Sequence, residues 1–395
     1  MINVAVLGYG TVGSGVVEVI EKNKDMVNKK SAQELEVKYI LDLRDFPGDP
    51  YENKVIHDFN TILQDDSVTI ICETMGGVGA AYQFTKQALE LGKSVCTSNK
   101  ELVAKHGPEL LQIAREHNCN YLFEASVGGG IPIIRPLNYS LTAEKIEAVN
   151  GILNGTTNYI LSKMEKEGAD FDTVLKEAQD KGYAERNPEA DVEGYDACRK
   201  IAILTSLAYG QQVDYEDIYT EGITKITAED FKYAKALGAA IKIFGTSRKE
   251  GNKLYAMVAP QMIQADNPLY AVNDVFNAIC VTGNMLGDVM FYGKGAGKEA
   301  TASAVVSDVV DAVKHMNVNV MTIWEDEKQE VAPMDEMKNR FFVRIGASEK
   351  AKAEDLFEEV TPVDGGIADE FGFLTGTMTE KEFNETISQF DTFIT

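Results

Sequence analysis

Charged side chains near the middle of the chain have the types and spacing that proton transfer requires. Asp196 and Lys200 are four residues apart in a segment whose apolar residues recur with helical spacing, so we expect them on one side of a helix. An acidic loop at residues 185–193 precedes them and could surround an amino-bearing substrate with carboxylates, which leaves the lysine free to transfer a proton. The plainer alternative is an exposed ion pair on a helix, which contributes about 0.3–0.5 kcal/mol.

A glycine-rich turn near the N-terminus predicts a binding site for a dinucleotide. Residues 3–7 are apolar, which indicates a buried strand, and a helical pattern runs on through Ile20. Between them, Gly8 permits a tight turn, Gly10 lets the backbone approach a pyrophosphate, and Gly13 lets the helix pack closely on the strand. The cofactor-binding residues predicted here are Gly8, Tyr9, Gly10, Thr11, Val12 and Gly13. The alternative is a glycine-rich turn that binds nothing.

The next predicted strand, residues 37–41, bears on the choice between NAD and NADP. An acidic residue at its end would bind the ribose hydroxyls of NAD, and a basic residue would pair with the 2′-phosphate of NADP. The chain has both, in Asp42 and Arg44, so the preference stays open and leans to NADP if Arg44 points at the ribose. A solvated Asp–Arg pair in a loop is the alternative.

Two further strand ends should lie beside the nicotinamide ring. Buried strands are predicted at residues 68–72 and 94–97, and loops at the carboxyl ends of parallel strands line the cofactor crevice. We therefore expect Thr74, Ser98 and Lys100 beside the ring. After about residue 135 the alternation of strands and helices breaks, which indicates a second domain.

Length, charge and cysteine usage limit the class of protein. A chain of 395 residues predicts two or three domains, and its net charge of −24 opposes binding to nucleic acid. Five single cysteines without a C-x-x-C pair favour a reducing cytosol over a zinc site or a disulfide framework. We expect a cytoplasmic protein, because the first residues lack the features of a signal peptide and no apolar run approaches the roughly 20 residues of a membrane span.

The order of these motifs resembles homoserine dehydrogenase over residues 1–330. The segments that carry the resemblance are the glycine-rich turn and residues 97–100, 124–132, 151–158, 182–191, 196–200 and 293–297. The resemblance implies reversible hydride transfer between NAD(P)H and L-aspartate 4-semialdehyde, which gives L-homoserine for threonine, methionine and isoleucine biosynthesis. It also implies an α/β fold with a Rossmann domain, an α+β catalytic and dimerisation domain with a mixed sheet, and a short ACT-like C-terminal module.

The resemblance assigns roles to the residues of the candidate site. It implies that Glu185 and Asp196 hold the amino and hydroxyl ends of the substrate, with Asp191 as a supporting carboxylate. Lys200 matches the proton donor, and Lys100 matches the lysine that bridges nicotinamide and substrate. An ammonium group near the aldehyde oxygen would stabilise the developing alkoxide and protonate it. The other substrate-binding residues that we expect are Gly155 and Thr156.

A second glycine loop matches the family's site for a monovalent cation. The ligands implied are Glu124 and the backbone carbonyls of Val127, Gly129 and Ile131, an all-oxygen set that suits Na⁺ or K⁺. A purely conformational glycine turn is the alternative. Gly297 belongs to a further loop that returns to the cofactor in the family, and a plain helix N-terminus is the alternative there.

The implied organisation has four parts. Residues 1–134 form the NAD(P)-binding domain, residues 151–299 the catalytic substrate-binding domain, and residues 135–150 with 300–330 a dimerisation region. Residues 335–395 form the C-terminal module, but they lack an Asp-Arg-Pro-Gly-type ligand turn, so regulation by threonine and a role in assembly both stay open. The partners implied are the small-molecule substrate and a second copy in a homodimer, which the C-terminal module could extend to a homotetramer. Neither nucleic acid nor a membrane is expected.

Two rival functions are weighed against this interpretation. An aspartate-semialdehyde dehydrogenase needs a cysteine nucleophile with a paired base, but Cys198 lies near a packed helix face without an adjacent histidine. A nucleotide-sensing binding protein with an inactive dehydrogenase fold would have lost its lysines, and Lys100 and Lys200 are both present.

Overall fold

The computed structural model describes residues 1–394, and its N-terminal part is a parallel six-stranded sheet with helices between the strands. The elements are β1 (Ile2–Leu7), α1 (Thr11–Lys22), α2 (Lys24–Ser31), β2 (Leu35–Leu41), β3 (Val55–Ile56), α3 (Asn60–Leu63), β4 (Val68–Glu73), α4 (Gly79–Glu90), β5 (Ser94–Thr97), α5 (Lys100–Glu116) and β6 (Tyr121–Leu122). The order β3-β2-β1-β4-β5-β6 is that of a Rossmann domain, which confirms the predicted fold class.

The carboxyl ends of four strands bring the predicted cofactor-binding residues to one edge of this sheet. Gly8 follows β1, Asp42 follows β2, Thr74 follows β4 and Ser98 follows β5. The strands run parallel, and their last residues pair, Leu7 with Leu41 and with Glu73, and Glu73 with Thr97, so these ends lie side by side. The edge is therefore where a dinucleotide would lie in this fold.

The middle of the chain forms a second, mixed six-stranded sheet. Its elements are β7 (Ile146–Ile152), α6 (Gly155–Glu167), α7 (Phe171–Asp180), α8 (Glu189–Val192), α9 (Tyr195–Tyr209), β8 (Gln211–Gln212), β9 (Tyr219–Thr220), α10 (Ala228–Ala236), β10 (Ala239–Glu250), β11 (Lys253–Gln264), β12 (Phe276–Gly283) and β13 (Gly287–Lys294). The order is β13-β12-β7-β10-β11-β9, and only the β9–β11 pair is parallel. Helices α6, α9 and α10 pack against β10, whose first nine residues are buried.

Helix α11 (Lys298–Lys314) carries the chain back to the N-terminal sheet. Ala302, Val305 and Val309 are buried in one core with residues of α1 and β2. Gly15 of α1 permits this close packing, because a Cβ there would come within 3.0 Å of the Ala302 Cβ. The apolar face of α11, in the region expected at a dimer interface, is thus covered in large part by its own chain. No helix within residues 1–394 is long and apolar enough to cross a membrane.

The C-terminal part has the strand and helix order of the expected ACT-like module. Its elements are β14 (Glu325–Lys328), β15 (Lys338–Asn339), β16 (Phe342–Gly346), α12 (Lys350–Leu356), β17 (Val360–Val363), β18 (Glu370–Thr375), β19 (Met378–Thr379), α13 (Glu380–Ile387) and β20 (Phe393–Ile394). Strands β17-β18-β16-β20 form an antiparallel sheet with β-α-β-β-α-β connectivity. Phe373 is fully buried at the centre of its core.

A buried ion pair attaches this module to the catalytic domain. Nη1 of Arg344 in β16 lies 2.6 Å from Oδ1 of Asp230 in α10, and Nη2 lies 2.8 Å from Oε1 of Glu370. Tyr233 of α10 packs on Gly372, where a Cβ would come within 2.2 Å of the tyrosine ring. The module therefore rests closely on α10.

Candidate active site

Asp196 lies between two lysines that come from different domains. Its Oδ2 is 2.7 Å from Nζ of Lys200 in the same helix, and its Oδ1 is 2.7 Å from Nζ of Lys100 in α5. The side chains of Asp196 and Lys200 are 7% and 10% exposed, whereas that of Lys100 is 37% exposed. The pair that the helical spacing predicts is therefore buried instead of solvated, and a third charged group joins it.

The two lysines decide the charge of the carboxylate. Burial raises the pKa of Asp196, but the ammonium groups of Lys200 and Lys100 outweigh burial and hold this pKa well below its usual range. Burial lowers the pKa of Lys100, and its contact with Asp196 raises the pKa by more. Asp196 is therefore ionised and Lys100 is protonated at neutral pH.

The start of α9 places Asp196 and Lys200. Gly194 precedes the helix with a φ of 83°, a left-handed conformation that favours glycine. Asp196 lies in the first turn of α9, where the partial positive charge of the helix N-terminus stabilises a carboxylate. One turn further on, Nζ of Lys200 also donates to the carbonyl oxygen of Leu153 at 2.8 Å, just beyond β7. This second contact fixes the ammonium group against the mixed sheet.

A buried carboxylate that we did not predict supports the start of α5, where Lys100 lies. Glu73 accepts a hydrogen bond from Oγ1 of Thr97 at 2.6 Å and another from the backbone N of Met75 at 2.8 Å. Thr97 Oγ1 accepts in turn from the backbone N of Asn99, which caps α5. Burial raises the pKa of Glu73. An acidic residue at the end of an apolar strand was the sequence signal for it.

Asn154 joins the two carboxylates of the site and was also not predicted as a site residue. Its Nδ2 lies 2.7 Å from Oδ1 of Asp191 and 3.0 Å from Oδ2 of Asp196. Burial raises the pKa of Asp191, and the hydrogen bond from Asn154 lowers it. The available sequence signal was an asparagine just before a helix, a frequent N-cap.

The remaining predicted substrate residues lie nearby without joining this network. Thr156 Oγ1 donates to the carbonyl oxygen of Tyr183 at 2.7 Å, which ties α6 to the acidic loop. Gly155 permits close packing, because a Cβ there would come within 2.7 Å of the carbonyl oxygen of Val275. Glu185 is exposed, and its carboxylate makes no hydrogen bond or ion pair with any of residues 1–394. The structure thus links Asp191 to Asp196 through Asn154, whereas it does not link Glu185 to them.

The glycine-rich turn has the shape that a dinucleotide requires. A Cβ at Gly13 would come within 1.8 Å of the Gly8 carbonyl oxygen, so α1 approaches β1 as closely as glycine allows. A Cβ at Gly10 would meet no atom within 4 Å in the described part of the chain, so the turn leaves open space there. The start of α1 has no acidic residue and no side-chain cap among the described residues, which leaves its first N–H groups free for a phosphate. Thr74 Oγ1 closes the turn by donating to the carbonyls of Leu7 and Gly8, both at 2.9 Å.

Asp42 and Arg44 pair with each other at the end of β2. Nε and Nη2 of Arg44 donate to the two carboxylate oxygens of Asp42 at 2.9 and 3.0 Å. Oδ2 of Asp42 also accepts from the backbone N of Tyr9 at 2.8 Å. The Arg44 side chain lies over the ring of Phe46 and is well exposed. Both carboxylate oxygens are thus engaged, while the guanidinium group faces solvent beside the glycine-rich turn.

The carboxylate of Glu124, which the resemblance implies as a cation ligand, accepts hydrogen bonds from the backbone of residues 133–135. Oε1 of Glu124 accepts from the backbone N of Ile133 and Ile134 at 2.6 and 2.8 Å, and Oε2 accepts from the backbone N of Arg135 at 2.8 Å. These amide groups occupy the carboxylate. The carbonyl oxygens of Val127, Gly129 and Ile131 accept no hydrogen bond from residues 1–394. These three carbonyl oxygens are therefore available to a ligand, whereas the carboxylate of Glu124 is already engaged.

Gly297 lies where the catalytic domain returns to the cofactor edge. It precedes α11 with a φ of 116°, and the adjacent residue, Lys298, pairs with Glu18 of α1 at 2.8 Å. Its loop touches the loop at residues 124–131, because the backbone N of Gly130 donates to the carbonyl of Lys294 at 3.1 Å. The glycine loops at residues 128–130 and 293–297 are therefore one structural unit beside α1.

Cys198 does not have the environment of a catalytic nucleophile. It is buried, and its Sγ donates to the carbonyl oxygen of Tyr215 at 3.2 Å. Burial raises the pKa of the thiol, which disfavours the reactive thiolate. This geometry argues against the aspartate-semialdehyde dehydrogenase chemistry.

The sequence of this chain is similar to family models and to known proteins that share one description. Residues 8–124 match a model described as "Homoserine dehydrogenase, NAD binding domain", and residues 132–310 match one described as "Homoserine dehydrogenase". The homoserine dehydrogenase of Bacillus subtilis is 43% identical over 326 residues, which are 81% of this chain and 74% of that protein. The homoserine dehydrogenase of a Synechocystis species is 42% identical, over 87% of this chain and 82% of that protein.

Solved structures extend the likeness to the whole chain. A homoserine dehydrogenase from Thiobacillus denitrificans has a TM-score of 0.88 at 33% identity, over 100% of this chain and 96% of that chain. The Staphylococcus aureus homoserine dehydrogenase at pH 7.5 has a TM-score of 0.82 at 33% identity, over 99% of this chain and 98% of that chain. A hyperthermophilic archaeal homoserine dehydrogenase in complex with NADPH has a TM-score of 0.67 at 29% identity, over 79% of this chain and 97% of that chain.

Proposed function

Since this chain belongs to the homoserine dehydrogenase family of NAD(P)-dependent oxidoreductases, we propose that it reversibly reduces L-aspartate 4-semialdehyde to L-homoserine. The observation that carries the proposal is the buried Asp196 held between Lys100 and Lys200. A nucleotide-sensing protein with an inactive fold is not favoured, because such a protein has no need to keep two lysines on one buried carboxylate.

The proposed proton donor is Lys200. The nicotinamide cofactor, when bound, supplies the hydride that adds to the aldehyde carbon. As this C–H bond forms, the carbonyl electron pair moves to oxygen, and Nζ of Lys200 donates a proton to give the hydroxyl group. Asp196 orients Lys200. The more exposed Lys100, between substrate and nicotinamide, stabilises the negative charge that develops on the aldehyde oxygen. In the reverse direction, Lys200 accepts the hydroxyl proton.

The proposed site for the substrate's amino group is acidic. Asp191, with the nearby Glu185, supplies negative charge for an ammonium group, and Gly155 and Thr156 line the approach at the start of α6. The resemblance to the family supports these roles.

We propose NADP as the preferred cofactor, with NAD also accepted. The oxygens of Asp42 already accept hydrogen bonds from Arg44 and Tyr9, which leaves them poorly placed to accept from ribose hydroxyls. The exposed guanidinium of Arg44 is suited to a 2′-phosphate. The residues that would hold the cofactor are the turn from Gly8 to Gly13 together with Arg44, Thr74, Ser98, Lys100 and Gly297.

We also propose that Na⁺ or K⁺ binds the loop at residues 124–131. The carbonyls of Val127, Gly129 and Ile131 would hold it, and Glu124 would fix the loop through its bonds to the following amides. A bound cation would stabilise the contact between this loop and residues 293–297, next to the cofactor edge.

The biological setting follows from the same family. We propose that the protein is cytoplasmic and supplies homoserine for threonine, methionine and isoleucine biosynthesis. It would act as a homodimer through residues 135–150 and 300–330, which the C-terminal module at residues 335–395 could extend to a tetramer. The proposed boundaries of the other domains are residues 1–134 and 151–299.

One assay tests the proposed function. Purified protein is mixed with L-homoserine and either NADP⁺ or NAD⁺ at varied Na⁺ and K⁺, and absorbance of the reduced cofactor is followed. We expect reduction with both cofactors and a lower KM for NADP⁺. If neither cofactor is reduced under any of these conditions, the proposed function is wrong.

A further inference from the structure

Asn154 contacts both carboxylates of the site and the helix beside them. Its Nδ2 donates to Asp191 at 2.7 Å and to Asp196 at 3.0 Å, while its Oδ1 accepts from the backbone N of Thr157 at 2.9 Å and so caps α6. The residue is buried, and both polar atoms of its amide are engaged. The side chain is thus fixed in one orientation by three partners.

A neutral amide is suited to this place. The two carboxylates repel each other, and each accepts one of the two amide hydrogens, so Asn154 holds them together without adding charge. Aspartate would add a third negative charge there, and serine would be too short to reach both acceptors. Capping α6 alone would require neither of these two contacts.

We propose that Asn154 is a positioning residue of the dehydrogenase site, which holds Asp191 at a fixed distance from Asp196 and its two lysines. Through Asp191 it would orient the substrate's ammonium group, and through Asp196 it would orient Lys200. This inference rests on the proposed function, because the roles of both carboxylates come from it.

The pH profile separates positioning from capping. The groups that face Asp191 are Asp196, Lys200 and Lys100, together with the amide of Asn154. Burial raises the pKa of Asp191, and the hydrogen bond from Asn154 lowers it. Removal of this donor therefore raises the pKa of Asp191 further, so the acidic limb of kcat/KM should move to higher pH. Loss of a helix cap alone would lower Tm and leave the limb in place.

The test compares Asn154→Ser and Asn154→Asp with a matched control, Asp170→Ser. Serine and aspartate both keep an N-cap acceptor at position 154, but neither keeps the amide donor. Asp170 caps α7 by accepting from the backbone N of Thr173 at 2.9 Å, and it lies outside the site. For each variant, kcat and KM for L-homoserine are measured between about pH 5 and pH 10, together with Tm.

We expect Asn154→Ser to lower kcat/KM by about tenfold to a hundredfold, as for the loss of hydrogen bonds to charged groups. The acidic limb of its kcat/KM profile should move to higher pH, and the limb of Asn154→Asp should move further still. The control Asp170→Ser should keep the pH profile of wild type. The inference is overturned if the profile of Asn154→Ser coincides with that of wild type, or if its activity falls only in proportion to a lower Tm. An inactive wild type would overturn the proposed function itself, which is a different result.

Discussion

Nζ of Lys100 and Oδ1 of Asp196 lie 2.7 Å apart where the Rossmann domain meets the catalytic domain. Lys100 is the first residue of α5 and Asp196 lies in the first turn of α9, and the two helices pack against each other. The ion pair therefore joins the cofactor edge to the proposed substrate site. The same carboxylate holds Lys200, so one buried group aligns both ammonium groups of the proposed reaction.

Replacement of Lys200 by alanine should remove the proton donor and leave the cofactor site intact. We expect kcat to fall by about 10²–10⁴-fold, the usual contribution of a positioned general acid. The Kd of NADPH, measured by its fluorescence, should stay near the wild-type value, because Lys200 hydrogen-bonds to Leu153 and Asp196 and not to the glycine-rich turn.

The matched control for Lys200 is Arg199→Ala. Arg199 is the adjacent cation in α9, and it contacts Tyr215, the carbonyl of Tyr195 and, at 3.9 Å, Glu101, but not Asp196. This variant should keep most of its turnover. Unchanged turnover in Lys200→Ala would exclude Lys200 from the mechanism.

Replacement of Arg44 by alanine should change the cofactor preference. If the guanidinium binds the 2′-phosphate, its loss should raise the KM of NADP⁺ by about tenfold to a hundredfold. The KM of NAD⁺ should stay level or fall, because the carboxylate of Asp42 then becomes free to accept from ribose hydroxyls. Steady-state kinetics with each cofactor give both values. An equal rise in the two KM values would contradict the proposed preference for NADP.

Local patterns in the sequence were sufficient for the cofactor edge and for one ion pair. Gly8, Gly10 and Gly13 determine the turn within six residues, and the spacing of Asp196 and Lys200 brings them together within one helix turn. Both features depend on neighbours in the chain. Helical or strand periodicity is therefore enough to predict them.

Contacts between distant segments could not be predicted in this way. Asn154 reaches Asp191 and Asp196 only where β7, α8 and α9 meet, and no local sequence pattern reveals these contacts. The carboxylate of Glu124 binds amides at residues 133–135, which the oxygen-rich composition of its loop does not reveal. The apolar stripe of α11 predicts that this helix is buried, but it does not show which surface covers the stripe. In the structure, α1 of the same chain covers part of it.

The fully buried Lys242 should make stability depend on pH in the alkaline range. Its Nζ donates to the carbonyl of Val272 and to Oδ1 of Asn273, both at 2.8 Å, and burial lowers its pKa from 10.5 to about 8. Between these values the unfolded chain binds more protons at this group than the folded chain, so stability should rise with pH. At about 1.4 kcal/mol per pKa unit, the rise from this group approaches about 3 kcal/mol.

Urea unfolding of wild type and Lys242→Met at pH 7.5 and pH 10 tests this. The free energy of unfolding of Lys242→Met minus that of wild type should decrease as pH increases, because only the wild type gains stability when Lys242 loses its proton. Lys235→Met replaces an exposed lysine of α10, and its free energy of unfolding should change with pH as that of wild type does. If the difference in the free energy of unfolding between wild type and Lys242→Met is the same at both pH values, the pKa of Lys242 is not lowered in the folded protein.

Replacement of Arg344 by methionine should loosen the C-terminal module from the catalytic domain. The side chains of Arg344 and Asp230 are 4% and 6% exposed, so the variant leaves a buried carboxylate without its cation. Such a loss costs about 3–5 kcal/mol, whereas the exposed pair of Lys350 with Glu354 contributes about 0–1 kcal/mol. Arg344→Met should therefore lower the free energy of unfolding much more than Lys350→Met, and should expose the module to limited proteolysis. Addition of Asp230→Asn should recover part of the loss, because it removes the uncompensated charge.

If Arg344→Met lowers the free energy of unfolding as little as Lys350→Met does, the module is held by the packing of Tyr233 on Gly372 and not by the ion pair.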